Sequence, residues 1–510
     1  MYNPRALPGG QLCYKPPMGI DIQHTQFSAD DYRRFGERLE SNLEQLRQTL
    51  AVPGFGQGPG SLGAELELYI VDRHGRPALL NEELQAAARD PQLTLELNRY
   101  NLEYNLTPVA IADNPLQTLE SEILAKLSSL RSLAAERDAR IVPVGILPTL
   151  QLTDFGPACL TGKQRFAALV EQLIARRGRQ FRVDINGRHP LRLNMDDVTL
   201  EGANTSFQVH YRVDPRQFAD TFNAIQAVTP LALAIAGNSP TLFGHCLWQE
   251  TRIPLFKQSI DTRVPDRYSW NEPARVNFGQ GWVRREASEL FVEAVRLYRP
   301  LLPVCAEELA DIEGASRSPQ LRELQLHQGT VWLWNRPVYD AAAGGHLRIE
   351  MRALPAGPTA ADMVANAAFL IGMAEGLRPS INTWLPALPF NFAEHNFYRA
   401  AQDGLDARLV WPRDRQCACE EQTAAAIIAV MLPVAQRGLV AIGIDEASAA
   451  HYLGIIERRL ENGQTGARWQ LARLARSGAD ARPAAADLQA MLEAYMACSV
   501  GNDPVAEWPL

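Results

Sequence analysis

The chain has 510 residues, of which 46% are hydrophobic and 21% charged, which excludes a disordered polymer and leaves room for a large core and more than one domain. A formal net charge of −8 argues against a general nucleic-acid binder. Seven scattered cysteines, an odd number, fit reduced thiols and a cytoplasmic compartment better than a disulfide framework.

Residues 1–28 are rich in Pro and Gly and read as an irregular arm, and its start, Met1-Tyr2-Asn3-Pro4-Arg5, has no apolar signal core. Over 30–50, Phe35, Leu39, Leu43, Leu46 and Leu50 fall on one helical stripe. The segment Pro53-Gly54-Phe55-Gly56-Gln57-Gly58-Pro59-Gly60 has the glycines of a phosphate loop, but it precedes a strand and lacks a Gly-Lys-Ser/Thr ending. A linker or flap is the better reading. Turn chemistry at 72–77 suggests a hairpin. Helices are expected over 116–137, 163–177, 217–236, 285–298 and 360–377, with a short strand over 141–147.

From about residue 400 the chain is Ala-rich, with helices expected over 420–436, 446–461, 468–476 and 483–496. We read 29–400 as a catalytic body and 401–510 as a helical region that either buttresses it or forms a contact between copies. The longest apolar run, 424–434, is too short to span a bilayer, so no membrane role is expected. Cys417-Ala418-Cys419 is the one close cysteine pair, and no second pair follows at zinc-ligand spacing.

The chemistry concentrates where side chains alternate. In Ala64-Glu65-Leu66-Glu67-Leu68-Tyr69-Ile70-Val71, a strand sends Glu65 and Glu67 to one face and Leu66, Leu68 and Ile70 to the other. Two like charges on one face repel unless a cation lies near; an ordinary solvated face has the same pattern. The alternation recurs at 101–106 (Asn101, Glu103 and Asn105 against Leu102, Tyr104 and Leu106) and at 205–211 (Ser206, Gln208 and His210 against Phe207, Val209 and Tyr211). It returns at 347–354, with Arg348, Glu350 and Arg352 against Leu347, Ile349 and Met351. These four segments predict an α+β fold: one antiparallel sheet, apolar on the face packed by helices and polar on the other. An oxygen-rich face with an arginine suits Mg2+ or Mn2+ and phosphate.

Gly237-Asn238-Ser239-Pro240 through Arg263 is the next candidate. Asn238 and Ser239 offer hydrogen bonds, while Arg252, Lys257 and Arg263 supply cations for substrate or ATP; a surface loop with scattered charge fits the same residues. His327-Gln328-Gly329-Thr330-Val331-Trp332 reads as a polar-aromatic strand or a packed aromatic segment. Asn335-Arg336-Pro337-Val338-Tyr339 and Ala343-Gly344-Gly345-His346 read as hairpin punctuation.

The Glu-x-Glu strand, the segment Thr205-Ser206-Phe207-Gln208-Val209-His210, Gly237-Asn238-Ser239-Pro240 with Gly244, and Ile349-Glu350-Met351-Arg352 together resemble the glutamate-cysteine ligase type 2 family. That family includes plant-type glutamate-cysteine ligases and bacterial carboxylate-amine ligases on a glutamine-synthetase-like sheet. The resemblance implies ATP as co-substrate, Mg2+ or Mn2+, and metal ligands at Glu65, Glu67, Glu103, Gln208 and Glu350. It implies catalytic roles for Arg352, Glu67 and Glu350, with His210 near metal, phosphate or substrate. The implied partners are small molecules, glutamate as acid and cysteine as amine, and an oligomer is left open. A phosphohydrolase using the same acids, or a silent nucleotide-binding protein on the same scaffold, remain alternatives.

Overall fold

Alternation of apolar and polar side chains builds an eight-stranded antiparallel sheet in the computed structural model, which describes residues 22, 25–264, 272–305, 307, 318–413, 419–475 and 481–510. Its strands are β1 (Ser61–Asp72), β2 (Leu93–Leu95), β3 (Asn101–Asn105), β4 (Val109–Ala110), β5 (Ala139–Val142), β6 (Phe207–Val213), β7 (Asn335–Asp340) and β8 (His346–Met351). The order across the sheet is β7-β8-β6-β1-β3-β2, with β4 and β5 paired to the two ends of β1. Most of the expected arm lies outside the described residues, as does Cys417.

Register turns the four alternating segments into one surface. Glu67 stands opposite Glu103, and Glu65 lies between Asn105 on one side and Gln208 on the other. His210 stands opposite Glu350, which in turn faces Arg336. Because period two sends alternate residues to opposite faces, Leu66, Leu68, Phe207, Val209, Ile349 and Met351 share the far side, and all are buried.

Helices cover that apolar side, as expected. Tyr211, on the same face, donates its hydroxyl to Glu375 Oε1 at 3.0 Å, tying β6 to the Ala360–Leu377 helix. That helix is buried nearly all round, with the Phe218–Ala236 and Ala424–Ile442 helices packed on it. A Cβ placed on Gly438 would lie 2.0 Å from the Gly372 carbonyl oxygen, so this helix crossing depends on glycine. Among the described residues, three helical stretches are long and apolar enough to cross a membrane, Pro215–Ala236, Ala360–Ala387 and Ala424–Ile442, and 89%, 94% and 33% of an apolar 18-residue window in each is buried inside the protein. The third corrects the reading of a short apolar run, since the helix continues past Pro433 to Ile442.

The polar face is roofed as well. The Gln164–Arg177, Ser288–Leu297 and Arg322–Gln328 helices stand over it, and the Ala29–Leu50 helix backs the last two. Asn42 Oδ1 accepts from the Leu324 N–H at 3.1 Å. Here the structure corrects two expectations. Of the expected strand over 327–332, His327 and Gln328 end the Arg322–Gln328 helix, and only Trp332 is extended, in the short strand Trp332–Leu333 paired in parallel with Val276–Asn277. Residues 335–340 form β7 rather than a turn. Pro337 is tolerated there because β7 is the edge strand of the sheet.

Candidate active site: a carboxylate-lined cavity

Between sheet and roof lies a cavity of about 330 Å3. Its floor carries Glu65, Glu67, Glu103, Gln208 and Arg352 from the alternating strands, joined by Glu96, Glu201, Arg336 and Arg348. Its roof is largely apolar, with Phe166, Leu169, Phe291, Leu324 and Trp332. Low-dielectric walls of this kind strengthen every charge interaction inside.

Among the described residues, two triads of possible metal ligands form, each offering ligand atoms within 4.8 Å of one another. The first is Glu65, His210 and Glu350, all buried. It carries its own counter-charges. Arg336 grips Glu350 with Nη2 at 2.8 Å from Oε2 and Nε at 3.1 Å, and Arg352 Nη1 bonds both Glu350 Oε1 and Gln208 Oε1. Burial opposes ionisation of Glu350, yet the Arg336 and Arg352 charges overcome it and hold the carboxyl at about 2. Arg348 Nε donates to His210 Nδ1 at 2.9 Å, which puts the ring proton on Nε2, 3.1 Å from Glu65 Oε1.

The second triad is Glu67, Glu96 and Glu103. Neutral donors serve it: the Ser206 N–H at 2.7 Å and Gln208 Nε2 at 2.7 Å bond Glu67, and Asn105 Nδ2 at 2.8 Å bonds Glu103. Burial raises the pKa of Glu96 well above the carboxylate range, and the charges of Glu103, Glu67 and Glu201 add to it. Burial also raises Glu67, against the pull of Arg352. Three carboxylates converging without a cation among them are the donor set of a hard divalent ion, so these residues fit Mg2+ or Mn2+.

The other expected contacts lie elsewhere. Asn238 Nδ2 bonds the Ala356 carbonyl and the Tyr495 hydroxyl, each at 2.8 Å. Glu250, fully buried, accepts from the Asn238 N–H, the Ser239 hydroxyl and Arg252 Nε. Arg252 Nη2 closes the network on the Ala353 carbonyl at 2.6 Å, one residue beyond Arg352. Lys257 Nζ lies 2.7 Å from the Tyr398 hydroxyl, and Arg263 pairs with Asp261 at 2.9 Å. None of these five lines the cavity. Buried polar groups demand partners, and Glu250 supplies them for three.

Three charged cavity residues, Glu96, Glu201 and Arg336, escaped the sequence reading, and a fourth, Arg348, was placed on the polar face without a role. Glu96 had a signal: Thr94 and Glu96 alternate with Leu93, Leu95 and Leu97. Arg336 and Arg348 were on alternating segments, the first disguised by Pro337. Glu201 sits on the short 3-10 turn Thr199–Ala203, which has no period to read.

Fold and site together are those of an ATP-dependent ligase that joins a carboxylate to an amine. The sequence profile of Glutamate-cysteine ligase family 2 (GCS2) matches residues 61–489, and the chain belongs to that family. Comparison with curated proteins yields no match. Among solved structures, the chain is similar to glutamate–cysteine ligase from Francisella tularensis in complex with AMP, at 13% identity and TM-score 0.52, over 89% of this chain and 97% of that one. A bifunctional glutathione synthetase from Pasteurella multocida aligns at 12% identity and TM-score 0.46, over 91% of this chain and 55% of that one.

Proposed function

We propose that the chain forms γ-glutamylcysteine, joining the γ-carboxylate of glutamate to the amino group of cysteine at the expense of ATP. A carboxylate is a poor electrophile with a poor leaving group, and phosphorylation by ATP remedies both. The acyl phosphate that results is attacked by the amine, and phosphate departs. Phosphoryl transfer of this kind needs placement and charge neutralisation more than covalent help.

The observation that carries the reading is the convergence of Glu67, Glu96 and Glu103 in the cavity that Arg352 also lines. Glu67, Glu96 and Glu103 would hold one divalent cation, while Glu65 and Gln208 line the floor beside it and His210 and Glu350 lie buried against Glu65. When bound, Mg2+ supplies charge neutralisation for the ATP phosphates. Arg352, braced by Glu350 and Gln208, presents its guanidinium to the transferring phosphoryl group. Arg336 and Arg348 keep Glu350 ionised and His210 oriented. The apolar roof excludes water from the acyl phosphate.

The test is ADP release from ATP and Mg2+ with amino acids supplied singly and in pairs, with products read by mass spectrometry. The reading expects turnover with glutamate and cysteine together. Phosphate release without any amine would instead indicate a phosphohydrolase, and turnover with another pair would keep the class and replace the substrates.

A further inference from the structure

The two triads use six side chains, and two cavity carboxylates belong to neither: Asp340, which pairs with Arg348 at 2.8 Å, and Glu201. Glu201 lines the wall together with Glu67 and Arg352. Its turn is clamped: Tyr69 donates its hydroxyl to the Ala203 carbonyl at 2.6 Å, Asn98 Nδ2 to the Thr199 carbonyl at 2.9 Å, and Asn204 Nδ2 to the Glu201 carbonyl at 2.7 Å. Among the described residues, none makes a hydrogen bond or ion pair with the Glu201 carboxyl itself. A rigid backbone therefore presents an uncommitted carboxyl to the cavity.

The chemistry leaves one task without an owner. An amino acid arrives as an ammonium ion, whose nitrogen has no lone pair to attack with. We propose that Glu201 binds the ammonium group of the amine substrate and accepts its first proton, an assignment that rests on reading the chain as a carboxylate-amine ligase. The freed nitrogen lone pair then forms the C–N bond, the C–O bond to the phosphoryl group breaks, and phosphate leaves with that electron pair. The second proton of the nitrogen goes to the departing phosphate, and Glu201 returns its own to solvent.

Three features of the site support this. Glu201 and Arg352 line the same cavity and the Arg352 charge acts on the Glu201 carboxyl, so an amine nitrogen held by the first is within the cavity where the second addresses the acyl phosphate. Burial and the Glu67 charge push the Glu201 carboxyl up to about 8, against Arg352, which matches a proton acceptor working near neutrality. The partly exposed side chain reaches the cavity rather than the core.

The test compares two nucleophiles at neutral pH with ATP, Mg2+ and glutamate: cysteine, which must lose a proton first, and hydroxylamine, which is already uncharged. For Glu201→Gln, kcat/KM for cysteine is expected to fall about 100-fold. Hydroxamate formation is expected to stay within a few-fold of wild type, which also shows that the variant folds. Glu201→Asp should recover part of the cysteine reaction. Equal losses with both nucleophiles, or no loss with either, would overturn the assignment while leaving the ligase reading in place. A wild type that makes neither product would overturn both.

Discussion

Glu67 on β1 and Glu103 on β3 stand directly opposite each other on the cavity floor, two like charges in register on neighbouring strands. Such a pair is destabilising by roughly 0.2–1 kcal/mol even on an open sheet. With Glu96 converging on both, the metal-free protein carries a repulsion that a divalent cation removes. Glu103→Gln should therefore raise the metal-free melting temperature, abolish ligation and shrink the stabilisation by Mg2+. Thermal melts with and without Mg2+ check this; an unchanged Mg2+ effect would contradict the assignment of the triad.

The pH dependence has a definite sign. Glu201 is raised from 4.5 to about 8 and Glu293 from 4.5 to about 7, both chiefly by burial. The folded state thus binds more protons than the unfolded state across that window, so their contribution is fully present below 4.5 and is lost as pH rises through the folded values. Metal-free urea unfolding should show stability declining between 4.5 and about 8, and Glu201→Gln should flatten the decline.

Glu350 and Glu65 are expected to respond differently to neutralisation. Glu350 is fully buried and compensates both Arg336 and Arg352. Glu350→Gln leaves those guanidiniums short of a counter-charge and should destabilise the fold by about 3–5 kcal/mol as well as silencing the enzyme. Glu65→Gln keeps a polar group of the same shape against His210 Nε2 and should melt near wild type while losing ligation. Chemical unfolding alongside ADP release separates the two.

Arg252 acts on stability. Arg252→Ala would strand the carboxylate of Glu250, and the expected loss is about 3–5 kcal/mol. KM for ATP and for amino acids, measured on the folded fraction, should change little. A large rise in KM with unchanged stability would return Arg252 to the substrate site.

Legibility followed burial. β1, β3, β6 and β8 were readable because each has one face in the core and one on the cavity, which imposes strict alternation. β2 has only three residues, and β7 hid behind Pro337. Two roof helices, Gln164–Arg177 and Ser288–Leu297, were visible as helical segments and Arg322–Gln328 was not, but nothing in a one-dimensional pattern says that a helix stands over a polar face. Asn238, Ser239 and Arg252 looked like loop chemistry because polar residues without period suggest exposure. Their burial depends on Glu250, a partner only the folded chain brings to them.

The most direct measurement follows oxygen. Glutamate labelled with 18O in its γ-carboxylate, turned over with ATP, Mg2+ and cysteine, should deliver label to the inorganic phosphate released, because the acyl phosphate bridges the two through that oxygen. Dipeptide formation with unlabelled phosphate would contradict activation by phosphoryl transfer on the carboxylate face.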